Sequence, residues 1–257
     1  MNAPKMLSVV GTRNATIHGR EICESIIRDL AGGHPEIVIV SGLAYGIDIT
    51  SHKAALANNI LTIGVLGHGF RTIYPSIHRP VANNIILHGG LLTDFVSDAL
   101  PERNNFIKRN RIIAGLSDAT LIVESGISGG ALITADIAGS YNRDVLAVPG
   151  RPDDQWSRGC NSLIRENKAA LVENAADIEY ILDWVPEKQV IPVQKTLFSD
   201  LNETEQLIYN LLVKEGELTI DIICRTLGIP VNKLSSLLLQ MEFRGLIRSY
   251  PGNLYRL

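Results

Sequence analysis

The sequence predicts an α/β chain: a doubly wound, mostly parallel sheet followed by a small C-terminal module of winged-helix order. Three observations carry that expectation. Short apolar runs alternate with amphipathic stretches as far as about residue 180. The alternation stops near Val185. Three helical stretches and a turn-centred tail then close the chain.

The predicted strands are 7–11, 37–41, 61–66, 90–95, 120–124 and 145–149. They are apolar throughout and several are β-branched, the pattern of strands covered on both faces of a parallel sheet. Amphipathic stretches at 19–30, 47–58, 77–88 and 131–141 supply the crossovers. Residues 185–200, with Pro186, Pro192 and no clear period, read as a linker between domains at 1–184 and 201–257. Beyond it, helical patterns at 204–214, 220–227 and 231–244 precede a hairpin turning at Pro251-Gly252-Asn253. In such modules the third helix often enters duplex DNA. Here it carries only Lys233 and Arg244 against Glu242, so protein interaction or dimerisation is the better expectation.

The formal net charge is −3 and the pI about 6.1, which excludes a broad electrostatic footprint for nucleic acid. Any such site must be a local basic patch. Cys23, Cys160 and Cys224 are far apart and odd in number, without metal spacing; the six histidines are scattered too. No metal, no cofactor and a reduced cytoplasmic compartment are expected. No apolar run approaches the ~18 residues of a membrane span.

The most informative segment is 101–118. Arg103, Lys108, Arg109 and Arg111 fall within nine residues without an acid, and Phe106 sits among them. Cations for phosphates with an interleaved ring for base stacking suit single-stranded nucleic acid. A solvated helix start with Phe106 in the core fits the same pattern. At Ser125-Gly126-Ile127-Ser128-Gly129-Gly130-Ala131 a predicted strand passes into a helix through small residues, a phosphate-cradling loop that is neither a Walker A nor a G-x-G-x-x-G motif. Ser41-Gly42-Leu43-Ala44-Tyr45-Gly46-Ile47-Asp48 frames another turn, with Asp48 expected to cap a helix and His52 to lie on its surface. No nucleophile–base–orienter set is evident.

Seven runs, in order, resemble the DprA/Smf family: Val10-Gly11-Thr12-Arg13, the 41–48 turn, Ile73-Tyr74-Pro75, 106–117, 129–135, Ala147-Val148-Pro149-Gly150 and Gly159-Cys160-Asn161-Ser162-Leu163-Ile164. The resemblance implies a Rossmann-like domain and a non-enzymatic protein that protects single-stranded DNA and helps load the RecA recombinase during natural transformation (competence) or recombination, as a homodimer. By position it makes Arg13 a phosphate contact, Arg103 the basic residue three places before the aromatic, and Phe106 the ring against bases. Arg109, Asn110 and Arg111 match an Arg-Asn-Arg run, some members of which brace the groove. Ser41, Gly42, Gly129 and Gly130 match small groove-lining positions, and Lys108 completes the basic set. Tyr45 stands where many members have a basic residue. Many also carry an N-terminal helical domain, whereas this sequence begins almost at its first strand. The competing expectation is an enzyme: a nucleoside-monophosphate phosphoribohydrolase on a related fold, with Glu124 as its acid, although Ser128-Gly129-Gly130-Ala131 replaces the Pro-Gly-Gly-x-Gly-Thr loop of those enzymes.

Overall fold

The computed structural model describes residues 5–185, 201–250 and 252–256. The predicted linker, apart from Val185, lies outside them. The described residues form two compact units, one on each side of residues 186–200.

The larger unit begins with β1 (Met6–Val10), α1 (Ile17–Gly33), β2 (Val38–Ser41), α2 (Ile47–Ala57) and β3 (Leu61–Val65). A short 3-10 turn, Ser76–His78, leads into α3 (Arg79–Leu87) and β4 (Gly89–Leu92). Then come α4 (Arg103–Leu116), β5 (Ala119–Ile122), α5 (Gly130–Ser140), β6 (Asp144–Ala147), α6 (Arg158–Arg165), β7 (Ala170–Leu171) and α7 (Ala175–Ile181). All six predicted strands are present, each shorter or displaced by a residue or more at its ends. The two-residue β7 escaped prediction because it is too short to show a period. The sheet has seven strands in the order β4-β3-β2-β1-β5-β6-β7, and every pairing is parallel.

Both faces of the sheet are covered, which explains the unbroken apolar runs. Alternate residues of β1 serve opposite faces. Leu7 and Val9 pack with Ile26, Ile27 and Leu30 of α1 and Ile178 of α7. Met6 and Val10 pack with Ile113 of α4, Ala135 of α5 and Leu163 of α6. Strands β1 to β4 grow outward on one side, and the chain then returns to lay β5 against the other edge of β1. Neighbouring connections therefore leave in opposite directions at β1 and β5, and a crevice opens at their carboxyl ends.

The smaller unit holds α8 (Glu203–Glu215), β8 (Glu217–Thr219), α9 (Ile220–Leu227), α10 (Val231–Phe243), β9 (Arg248–Tyr250) and β10 (Leu254–Arg256). Asn202 and Glu205 form a reciprocal capping box at the start of α8, which fixes its first turn. Ile208, Ile223, Leu234, Leu238 and Ile247 form a separate core. The predicted hairpin is part of a three-stranded antiparallel sheet, β8-β10-β9, because β8 pairs with β10. Among the described residues no single helix is long and apolar enough to cross a membrane.

Candidate nucleic-acid interface

A cavity of about 670 Å³ occupies the crevice at the β1/β5 crossover. The loop after β1 contributes Arg13, α4 contributes Arg103, Phe106 and Ile107, and the β5–α5 loop contributes Gly126, Ser128 and Gly129. The β6–α6 loop adds Trp156.

Phe106 is half-buried and faces this space rather than entering a hydrophobic cluster. Its ring packs so closely on Gly67 that a Cβ there would stand 2.6 Å from the ring. The Tyr74 ring lies 5.7 Å away, tilted by 40°. The Arg13 guanidinium lies over Phe106, 5.7 Å from the ring centroid. Arg13 and Arg103 are exposed, and among the described residues neither is held in an ion pair.

Arg109 has a different task. It is 3% exposed, and its guanidinium donates to the carbonyls of Gly42, at 2.8 Å, and of Val65. Burial pushes its pKa down to about 10, partly offset by Asp48. The Asp48 carboxyl is pushed up by burial, with Arg109 opposing that shift. Arg109 thus ties the ends of β2 and β3 beneath the groove. Asn110 continues the brace: its side chain accepts from Arg109 Nε at 3.3 Å and donates to the Gly130 carbonyl at 3.3 Å. Ser41 is also buried, donating from Oγ to the Val9 carbonyl at 2.6 Å. Gly42 is small by necessity, since a Cβ would sit 2.6 Å from both Arg109 Nη2 and Asp48 Oδ2.

The geometry therefore divides the expected site residues. Arg13, Arg103, Phe106, Gly129 and Gly130 border the open cavity. Arg109 and Asn110 also touch it but are largely consumed by internal hydrogen bonds. Ser41 and Gly42 lie beneath it. Lys108 and Arg111 are exposed on α4 away from the cavity lining, and Arg111 pairs with Asp94 at 2.7 Å. At about 100° per residue, the lining residues 103, 106, 107, 109, 110 and 113 of α4 span roughly 160° of the helix, with 111 just beyond the edge of that arc and 108 well outside it.

Helix α5 points its N-terminus at the cavity, and no side chain caps it. Its free N–H groups and the helix dipole suit an anion. A second cavity, of about 660 Å³, shares Arg13 and is lined by Arg20, Lys53 and Tyr45. Tyr45 is exposed, with its ring edge-on to His78 at 5.0 Å. Sequence spacing did not reveal that Arg20 and Lys53 share a cavity wall, because two helices bring them together.

Two expectations about the 41–48 turn need correction. Asp48 lies inside the first turn of α2, behind an N-cap at Gly46, and its Oδ2 accepts from the Ala44 amide at 3.4 Å. Gly46 has a φ of 75°, and a Cβ there would stand 2.1 Å from the Thr12 carbonyl, so only glycine fits. His52 is buried, not on the surface. Its Nδ1 lies 2.7 Å from Thr62 Oγ1, while its Nε2 has no hydrogen-bond partner among the described residues. Burial holds its pKa down to about 3. Glu124, the acid of the enzymatic alternative, is also buried. Its carboxylate accepts from Thr16 N at 2.9 Å and Thr16 Oγ1 at 2.6 Å, anchoring the start of α1.

The family model described as DNA recombination-mediator protein A matches residues 1–183. The chain belongs to that family, known as DprA/Smf. A second model, the DprA winged helix domain, matches residues 197–253. A putative DNA processing protein DprA from Mycobacterium tuberculosis is 36% identical over 97% of this chain, which spans 64% of that relative. Protein Smf from Escherichia coli is 35% identical, with 98% of this chain and 67% of the relative aligned. Among solved structures, DprA from Streptococcus pneumoniae is similar at a TM-score of 0.63 and 36% identity, covering 68% of this chain and 61% of that one. DprA from Helicobacter pylori, described for its single-stranded DNA binding mode, is similar at 0.64 and 28% identity, covering 70% of this chain and 81% of that one.

Proposed function

We propose that the β1/β5 groove binds single-stranded DNA and that the protein is a DNA-processing recombination mediator, not an enzyme. One observation carries the reading. Two exposed arginines with no ion-pair partner among the described residues, Arg13 and Arg103, flank a half-buried Phe106 ring beside an uncapped helix N-terminus. Cations and N–H groups hold phosphates of any sequence, and the ring accepts any base. The binding described for the Helicobacter relative supports the same assignment. In this reading Arg13, Arg103, Phe106, Gly129 and Gly130 meet the strand, while Ser41, Gly42, Arg109 and Asn110 keep the groove in shape. Lys108 contributes long-range field from outside the lining, and the charge of Arg111 is largely offset by Asp94.

The finer role follows the family: a cytoplasmic homodimer that protects incoming strands and helps load RecA during natural transformation or another recombination process. The Glu124 carboxylate is engaged at the start of α1, which favours binding over hydrolysis.

The test titrates the full chain with oligo-dT, oligo-dC and duplex DNA, and assays base release from nucleoside monophosphates in parallel. Comparable affinity for both single strands, weaker duplex binding and no base release are expected. Robust turnover, or a preference for duplex, would overturn the proposal.

A further inference from the structure

We infer that Trp156 is a second base-stacking platform in the same groove, serving a different nucleotide from Phe106. The inference rests on the proposed single-strand reading and extends it to a residue outside the expected site set.

The chain has two tryptophans, and the structure uses them differently. Trp184 packs against the larger unit's core and lies edge-on to His34 at 5.8 Å. Trp156 is half-buried, belongs to none of the hydrophobic clusters among the described residues, and lines the candidate cavity. A large ring withheld from the core and lining a cleft beside exposed arginines is an informative exposure.

The loop that carries the ring is held in place. The Trp156 carbonyl accepts from the Ser125 amide at 2.7 Å, and the Trp156 backbone N–H donates to Asp154 Oδ1 at 3.1 Å. Asp154 Oδ2 accepts from Ser157 Oγ at 3.0 Å, closing the turn on the other side. The indole lies beside Gly126, where a Cβ would stand 3.5 Å from its six-membered ring. The loop backbone needs little further ordering when a base stacks there, which limits the entropic cost of binding.

Spacing assigns the two rings to different bases. Phe106 is seated at Gly67, just past β3, and Trp156 at Ser125-Gly126, just past β5. In the order β3-β2-β1-β5 those ends lie three strand spacings apart. At about 4.8 Å each, that is roughly 14 Å, several times the ~3.4 Å rise between stacked bases. One base cannot sit between both rings. A strand crossing the groove would pass from Phe106, over Arg13 and the α5 N-terminus, to Trp156.

The experiment uses the full chain. Trp184→Phe leaves Trp156 as the sole tryptophan, and its emission is followed during titration with oligo-dT, alongside the anisotropy of a labelled oligo-dT. The emission should change and saturate together with the anisotropy. Trp156→Leu, with its fold checked by thermal melting, should weaken oligo-dT binding about five- to hundredfold and leave the salt slope unchanged, because no phosphate contact is lost. Trp156→Phe should recover most of the affinity. An abasic oligonucleotide should bind the parent and Trp156→Leu alike. If the parent binds oligo-dT while Trp156 emission stays constant and Trp156→Leu binds equally well, the second platform is refuted and the Phe106 groove stands. If the parent binds no oligo-dT, the groove reading fails and this inference fails with it.

Discussion

The β1/β5 groove and the third helix of the smaller unit are both places where a DNA ligand would be sought, and they spend their cations differently. In the groove, the structural work falls to buried Arg109, leaving Arg13 exposed over the Phe106 ring and Arg103 exposed in the same cavity lining. In the smaller unit, Arg244 follows α10 and donates to both oxygens of Glu205, at 3.1 and 3.2 Å. Both cations singled out by sequence are exposed, but among the described residues only Lys233 is outside an ion pair, and no ring accompanies it there in an aromatic or cation–π contact. A chain with a net charge of −3 can bind a polyanion where cations are spare and local. Counting basic residues does not find that place; asking which are already engaged does.

The sharpest way to break the comparison is to remove each engaged arginine. Arg109→Ala strands two carbonyls and Asp48 in a buried space, and should cost about 3–5 kcal/mol of stability by denaturant unfolding. Arg244→Ala removes a partner whose side chain is 42% exposed, so solvent screens the pair and the loss should be about 1 kcal/mol or less. Equal losses would show that Arg109 is no brace.

Acid should separate the units next. All six histidines precede residue 89. His52 stays neutral in the fold down to about pH 3, whereas its unfolded form takes a proton near 6.5. The unfolded state then binds more protons, so stability falls as pH drops from 6.5 towards 3, at up to about 1.4 kcal/mol per pH unit. The raised Asp48 carboxyl acts in the opposite sense above its ordinary value of 3.8, gaining its proton first in the fold. Both tryptophans lie in the larger unit, so their emission reports its unfolding. His52→Gln should give a flatter decline between pH 6 and 4; an unchanged slope would assign the acid sensitivity elsewhere.

The smallest effects concern individual exposed cations. Arg13→Ala should lower the slope of log K against log salt by about 0.7, the loss of one single-strand phosphate contact. Lys233→Ala should leave oligo-dT affinity within about twofold and the slope unchanged, since it loses no such contact. A tenfold loss from Lys233→Ala would move part of the interface to the smaller unit.

Much of this architecture was legible before any coordinates. Unbroken apolar runs such as 37–41 and 120–124 mark strands covered on both faces, and the alternation with helices follows from the crossovers they require. The basic segment around Phe106 was legible as chemistry, but its orientation was not taken from it. Helical spacing separates Lys108 from Arg103 and Phe106, but not Arg111, which lies two i,i+4 steps from Arg103. That Arg109 turns inward depends on carbonyls at 42 and 65, supplied by two strand ends distant in sequence. His52 was misplaced for the same reason, because its partner Thr62 is set by tertiary contact. Trp156 stands in a polar loop with no periodic neighbours, so nothing local marks it as part of the groove.

The most direct test of the central claim is oligo-dT binding by the full chain and by the Arg103→Ala/Phe106→Ala variant across a salt series. The account predicts tight, salt-sensitive binding by the parent and loss of most of it in the variant, which stays folded while losing about 1–3 kcal/mol of unfolding stability because the Phe106 ring also packs on Gly67 and Tyr74. A folded variant that binds like the parent at every salt concentration would contradict it.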